Sequence, residues 1–442
     1  MKKVLVLGAG MVSKPIVEYL LKAGFQVTLA DRFLENAQKL VRGYAHGKAV
    51  GWEIKEEQKL DDMICMHDLT VSLLPYNFHI IVAGYCIKNR KDMITTSYVQ
   101  PEIRMLDCQA KKAGIVMLNE IGLDPGIDHM SAMRIINYVH DRGGQIDSFY
   151  SLCGALYDKD SAVSNPFNYK FSWSPKGVVK ASNNDATYLK DGKTHHVFTE
   201  NLFKDTLRID FPEVGQLEVY PNRNSLPYMD TYGITNAKTL YRGTFRYEGW
   251  CESIDALKAL GLLSFTKHNF EDYSYADMLT RLIGATDKKD LKEKVAAYLK
   301  VCHDVHSLKA LEWLGLFEDK PMHRGIESPF EIVSDLMIDK MMLGPNEKDL
   351  VAMLHIVQAS YPNQKKEVIK SHLKLKGTPS KDTAVAKTVA WPAAIAAEMI
   401  LHKKIHLKGV QIPVNAELYE PVLERLSDMG VEMKEEFGLP PA

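Results

Sequence analysis

Gly8-Ala9-Gly10-Met11-Val12-Ser13 stands directly after the apolar run Lys3-Val-Leu-Val-Leu7 and ahead of a segment with helical spacing. A glycine at the first position permits a tight turn, and one at the second lets the main chain approach a pyrophosphate. The helix that follows presents N–H donors and a partial positive charge to it. Ser13 stands where a third glycine is usual; a small residue there still allows close packing. Asp31 ends a second apolar run, about 20 residues on, where a carboxylate can bind the adenosine ribose hydroxyls. That favours NAD. The adjacent Arg32 is the type of residue that accepts the extra phosphate of NADP. NAD is the expected cofactor, with NADP the alternative.

Two polar clusters follow apolar runs, Thr95-Thr96-Ser97-Tyr98 and Gly122-Leu-Asp-Pro-Gly-Ile-Asp-His129. In an open α/β sheet, ligands bind outside the carboxyl ends of the strands, which is where both clusters fall. Gly122 to Gly126 serves equally well as a linking turn, and His129 as a hydrogen-bonding residue at a helix start. Farther on, Arg223 lies in Tyr220-Pro-Asn-Arg-Asn-Ser-Leu-Pro-Tyr228, and Arg242 and Arg246 lie among aromatics in Arg242-Gly-Thr-Phe-Arg-Tyr-Glu-Gly249. Arginine binds carboxylates in a bidentate fork, so a ligand with several carboxylates would explain the recurrence. Solvated or ion-paired arginines are the plainer alternative.

The elements that must carry these groups alternate between strand and helix. Residues 3–7, 25–30, 69–74, 93–96 and 115–119 read as strands, and 14–23 and 101–113 as helices. This predicts an α/β fold with a doubly wound parallel sheet. The pattern changes after residue 126. A helix is expected over 127–141, short alternating runs over 146–250, and helices over most of 252–343. Strands are expected at 349–361 and 366–376. Residues 384–401 are apolar all round, a buried helix that Pro392 kinks or divides. We therefore expect a dinucleotide-binding Rossmann domain from 1–124 and 384–442. An α+β substrate and dimerisation domain takes 125–251 and 344–383, and a helical lobe 252–343.

Formal net charge is −1 over 442 residues, with 46% hydrophobic and 25% charged residues. Such a balance argues against a nucleic-acid or membrane partner and leaves charged ligands to be recognised locally. The six cysteines form no CxxC pair, so no metal is expected. The N-terminal apolar run is too short for a membrane span and lacks a cleavage site, which fits a cytoplasmic protein.

Taken together, Gly8-Ala-Gly10, Ser72-Leu-Leu-Pro-Tyr76, Thr96-Ser-Tyr98, Gly122–His129, Tyr169-Lys-Phe-Ser-Trp-Ser-Pro175, Tyr220-Pro-Asn-Arg223, Arg242-Gly-Thr244 and Ala386-Lys-Thr-Val389 closely resemble the L-glutamate-forming saccharopine dehydrogenases, also called saccharopine reductases. The likeness runs from Val4 to about Glu435. It implies a Rossmann domain closed by the C-terminal segment, with an inserted substrate domain and helical lobe. It also implies oxidation of saccharopine to L-glutamate and the semialdehyde of 2-aminoadipate, or the reverse, in lysine metabolism. Cofactor contacts carry over to Ala9, Gly10, Met11, Val12, Asp31, Arg32, Leu74, Thr96, Ser97 and Leu123. Substrate contacts carry over to Ser97, Tyr98, Asp124, Arg223, Thr244, Phe245 and Arg246. Asp124 is the first candidate for acid–base work and Cys153 the second. A homodimer acting on a small amino-acid substrate is expected. One departure is Cys153-Gly154-Ala155, where the family often has Cys-Gly-Gly. Two alternatives stay open: a carboxynorspermidine-type dehydrogenase, which the arginines oppose, and a dinucleotide-binding sensor without catalysis.

Overall fold

In the computed structural model, which describes residues 1–362 and 365–440, Val4 to Leu7 are all fully buried. That is the pattern of a strand covered on both faces. This strand, β1 (Lys3–Leu7), lies in a seven-stranded sheet with β2 (Gln26–Asp31), β3 (Gly47–Gly51), β4 (Leu69–Ser72), β5 (Asp92–Thr95), β6 (Val116–Leu118) and the C-terminal strand Gly409–Gln411. The order is Gly409–Gln411, β6, β5, β4, β1, β2, β3, and every pairing is parallel. The winding reverses between β1 and β4, the switch point at which such sheets open a crevice at their carboxyl ends. Gly409–Gln411 pairs with β6, so the last part of the chain completes the sheet that the first part begins.

The edge strand β3 and the helix before it, Leu34–Val41, gave no clear apolar pattern; β3 is bounded by glycines and is mostly half-buried. The helix expected over 101–113 is two, Pro101–Arg104 and Asp107–Ala113. Pro392 lies inside one continuous helix, Ala384–Leu401, which it neither ends nor divides. That helix is long and apolar enough to cross a membrane by length and composition alone, yet most of it is buried within the fold, where it packs on α1 (Ser13–Lys22).

By its contacts the chain divides into two units. The first is Met1–Ile146, Thr231–Ile234 and Gln358–Ala442; the second is Asp147–Asp230 and Thr235–Val357. The breaks thus fall near 146 and 358 rather than at 124 and 384. Helix Ile127–His140 belongs to the first unit because it packs on helix Ala416–Asp428, with Asn137 Nδ2 donating to Tyr419 Oη at 2.7 Å.

The second unit is built on β7 (Gln145–Tyr157), β8 (Ala186–Lys190), β9 (Lys193–Val197), β10 (Leu207–Phe211), β11 (Gly215–Pro221) and β12 (Thr239–Arg246). β12 runs parallel to β7 and antiparallel to β11. Asp349–Ser360 follows on the other side of β7. Helices between Trp250 and Met341 share one apolar core with Phe167, Tyr169 and Phe171, so the aromatic segment after β7 is a packing element of that helical region.

Candidate active site

The β1–α1 turn holds its shape through bonds between near neighbours. Gly8 has φ +102°, and a Cβ there would meet Leu73 O at 3.1 Å. Ser13 is fully buried. Its Oγ donates to Gly8 O at 2.8 Å and accepts from Gly10 N at 3.0 Å, a brace that a third glycine cannot make. Asp31 accepts from Ala9 N through Oδ2 and from Phe33 N through Oδ1, each at 2.8 Å. Its carboxylate is therefore fixed beside the turn. The Arg32 guanidinium is stacked 4.5 Å over Phe33. Nothing lies within 4 Å of a Cβ built on Gly10, and the N–H groups of Met11 and Val12 have no acceptor among the described residues. Open space, unmet donors at a helix start and a fixed acid fit the pyrophosphate and ribose of a dinucleotide.

The other cofactor candidates of this unit follow the neighbouring strands. Leu74 lies just beyond β4, Thr96 and Ser97 beyond β5, and Leu123 beyond β6. Tyr98 Oη donates to Asp124 Oδ1 at 3.0 Å, so two candidate substrate residues from different strand ends meet. Asp124 is placed by a closed loop. Gly122 N donates to Pro125 O and Ile127 N to Gly122 O, both at 2.9 Å. A Cβ on Gly126 would lie 2.1 Å from Gly122 O, so only glycine fits that position. His129, at 0% exposure, bonds through Nε2 to Glu120 and through Nδ1 to Tyr232. It stabilises the structure from behind the loop.

The sequence did not single out His79. Its Nε2 lies 2.8 Å from Ser97 Oγ and 3.0 Å from Thr95 Oγ1, and its Nδ1 lies 3.0 Å from Ser72 Oγ. Burial lowers its pKa from 6.5 to about 4, so the imidazole is neutral at pH 7. Lone histidines in apolar helices are usually packing, and only the fold shows three hydroxyls converging on this one.

In the second unit, strand register lines up the remaining candidates. Thr244 on β12 faces Cys153 on β7 and Tyr220 on β11, and Arg246 faces Glu218. Alternation along β12 puts Thr244 and Arg246 on one face and Phe245 on the other. Phe245 is therefore a core residue, fully buried and edge-on to Phe211 at 5.7 Å, which leaves only its main chain for a ligand. Gly154 lies against it: a Cβ there would sit 2.6 Å from Phe245 Cβ. The same alternation turns Ala155, the departure from Cys-Gly-Gly, to the Cys153 face. Arg223 is exposed, in left-handed backbone with φ +56°.

Arg246 is only 5% exposed. Its guanidinium carbon lies 4.9 Å from the Tyr169 ring centre, 5.2 Å from Trp250 and 5.7 Å from Tyr220. Nη1 donates to Phe245 O at 2.9 Å, while Nε, Tyr169 Oη and Trp250 Nε1 make no hydrogen bond among the described residues. Burial pushes the Glu218 carboxyl up, and Glu218 forms no ion pair with Arg246. A buried cation surrounded by unmet donors is suited to an anion such as a carboxylate.

Comparison with known proteins agrees with this picture. Residues 4–118 match the saccharopine dehydrogenase NADP binding domain, and residues 122–431 the saccharopine dehydrogenase C-terminal domain. A saccharopine dehydrogenase [NADP(+), L-glutamate-forming] of Pyricularia oryzae is 36% identical over 447 residues, covering 98% of both chains. The mitochondrial alpha-aminoadipic semialdehyde synthase of Bos taurus is 36% identical over 439 residues; the match takes in 97% of this chain but 47% of that protein, so the chain spans about half its length. The structure of apo saccharopine dehydrogenase (L-Glu forming) from Saccharomyces cerevisiae superposes with a TM-score of 0.90 at 33% identity, covering 99% of this chain and 100% of that one.

Proposed function

The chain belongs to the saccharopine dehydrogenase family, and from that premise we propose that it oxidises saccharopine to L-glutamate and 2-aminoadipate 6-semialdehyde, or runs the reverse. The overall reaction consumes one oxidised dinucleotide and one water, and releases one reduced dinucleotide and one proton. The observation that carries the reading is the Tyr98 Oη–Asp124 Oδ1 bond of 3.0 Å at the carboxyl ends of β5 and β6, beside the strand ends suited to a dinucleotide.

A bound dinucleotide would supply the acceptor for the hydride lost from the carbon beside the bridging nitrogen. The Met11 and Val12 N–H groups would hold its pyrophosphate and Asp31 its ribose. Asp124 is the base that takes the N–H proton as the amine becomes an imine and passes it to solvent. It then takes a proton from the water that adds to the imine and returns it to the nitrogen as the carbinolamine C–N bond breaks and glutamate leaves. One proton is thus released overall, with Tyr98 orienting the Asp124 carboxylate. Cys153, on the sheet face with Thr244, is the second proton-transfer candidate. Arg246 and Arg223 hold substrate carboxylates.

Between the two dinucleotides, the fixed Asp31 carboxylate favours NAD, because it would repel an added 2′-phosphate. The fungal relatives' names specify NADP(+), and Arg32 is the cation such a phosphate would use. Saccharopine-dependent reduction of NAD and NADP, assayed side by side, tests both points. No reduction of either overturns the function; clearly higher wild-type efficiency with NADP overturns the NAD preference. Asp31→Ser should shift preference toward NADP. In the same reading the protein is a cytoplasmic homodimer, in keeping with six unbridged cysteines. Cell fractionation and mass measurement in solution check location and assembly.

A further inference from the structure

Glu120, in the loop after β6, has contacts that the proposed reaction leaves unexplained. It is 5% exposed and has φ +57°, left-handed backbone that is unfavourable for a non-glycine residue. Its main-chain N–H donates to Ser97 O at 3.1 Å. Its Oε1 accepts from Val99 N at 2.9 Å. Its Oε2 lies 2.8 Å from His129 Nε2, and His129 Nδ1 lies 2.6 Å from Tyr232 Oη. With Nε2–H donating to the carboxylate, Nδ1 accepts from the Tyr232 hydroxyl; Asp128 Oδ2 is 3.8 Å from the same nitrogen. One residue therefore grips the main chain on both sides of Tyr98, and a buried histidine–tyrosine pair holds that residue from behind. Ser97 is held a second time through its hydroxyl by His79.

We propose that Glu120 is a positioning residue for the reaction. By fixing Ser97 O and Val99 N it sets the direction of the Ser97 and Tyr98 side chains toward bound ligands, and the Tyr98 hydroxyl in turn orients Asp124. This rests on the reading in which Ser97 and Tyr98 meet ligands. Misplacement of a catalytic group by about 1 Å can cost on the order of 100-fold in rate, so a rigid hold on this segment has a catalytic consequence. The left-handed backbone fits that role: it turns the Glu120 N–H and carboxylate toward the same short stretch of chain.

The test uses the whole 442-residue chain with Glu120→Ala and Glu120→Gln. Four quantities are read: kcat and KM with saccharopine, Kd for the reduced dinucleotide, and its emission maximum when bound, which reports the surroundings of the nicotinamide. For Glu120→Ala we expect kcat to fall tenfold or more per folded molecule. KM should change less than kcat, Kd should stay within threefold, and the emission maximum should shift. Glu120→Gln keeps an oxygen for Val99 N–H and should recover most of kcat. A kcat within twofold of wild type in folded Glu120→Ala, or no recovery in Glu120→Gln, overturns the proposal. Should Glu120→Ala not fold, Tyr232→Phe replaces it: a two- to fivefold fall in kcat at unchanged Kd supports the role, and wild-type kcat overturns it. If the wild-type protein does not turn over saccharopine, the function fails; the emission maximum then decides on Glu120 alone, a shift supporting the role and none overturning it.

Discussion

At the carboxyl-end rim of the first unit's sheet, the polar side chains find protein partners nearby, while the Met11 and Val12 N–H groups stay open among the described residues. Ser13 braces Gly8 and Gly10, Asp31 holds Ala9 and Phe33, His79 gathers three hydroxyls, and Tyr98 meets Asp124. On the β12 face of the second unit, Arg246 is buried among three aromatic rings, and its Nε and two neighbouring donors have no partner among the described residues. The first arrangement is preorganised: these side chains are held in place before a ligand arrives, a property that suits alignment. The second retains the burial cost of a charge, which a carboxylate would offset on binding. Under the proposed function, one region serves alignment and the other affinity.

The largest expected effect tests the alignment side. Asp124→Asn keeps size but loses charge and proton-accepting ability, so turnover should fall about 100-fold or more with the fold and dinucleotide affinity intact. Unchanged turnover across the full pH range would make Asp124 a structural residue and erase the contrast. On the affinity side, Arg246→Ala should weaken saccharopine binding at least tenfold, since losing one partner of a buried charged pair costs about 2–5 kcal/mol and about 1.4 kcal/mol is already tenfold. Arg246→Lys should recover part of the loss, for want of the planar fork. The exposed Arg223 gives an internal comparison, with Arg223→Ala expected near the tenfold limit. Equal losses of saccharopine and dinucleotide affinity, measured by titration of folded variants, would point to general disruption instead of a carboxylate clamp.

Two smaller effects sharpen the idea of a preorganised rim. The pKa of His79 is depressed by burial, so the stability that its neutral ring contributes is fully present above about pH 6.5 and is lost as pH falls through about 4. The unfolding midpoint should drop over that window, and His79→Gln should flatten the drop by a few degrees; parallel curves for the two proteins would refute the assignment. Ser13→Ala removes the turn's brace and should cost about 1 kcal/mol of stability. Dinucleotide affinity should fall two- to fivefold with little change in the KM for saccharopine. Wild-type affinity in calorimetric titration would mean that the glycines alone hold the turn.

How much of this could be read in advance depended on how local each feature is. β1, its turn and α1 are near neighbours in the chain, and their apolar run, glycines and helix spacing are direct consequences of backbone sterics. The tight Gly122–Gly126 loop was likewise visible as a glycine–proline pattern, and Asp124 stood inside it. β3 was not visible, because a half-buried edge strand between glycines has neither a buried run nor clean alternation. His79 and Glu120 were not singled out either: each is one polar residue among apolar ones, and their partners come from other strand ends.

Amino-acid sequence alone therefore determined the winding of the parallel sheet, the dinucleotide turn with its Asp31, and the residue types suited to a multiply charged amino-acid substrate. Tertiary structure decided which of those residues lie in the core and which are left open. Phe245 and Arg246 are adjacent in sequence, yet strand alternation sends one ring into the core and the other side chain into an aromatic cage. It also decided that Glu120 and His79, unremarkable in sequence, hold the segment that carries Ser97 and Tyr98. The physical reason is that hydrogen-bond partners and burial are set by chain segments far apart in sequence, whereas turns and periodicity are set by neighbours.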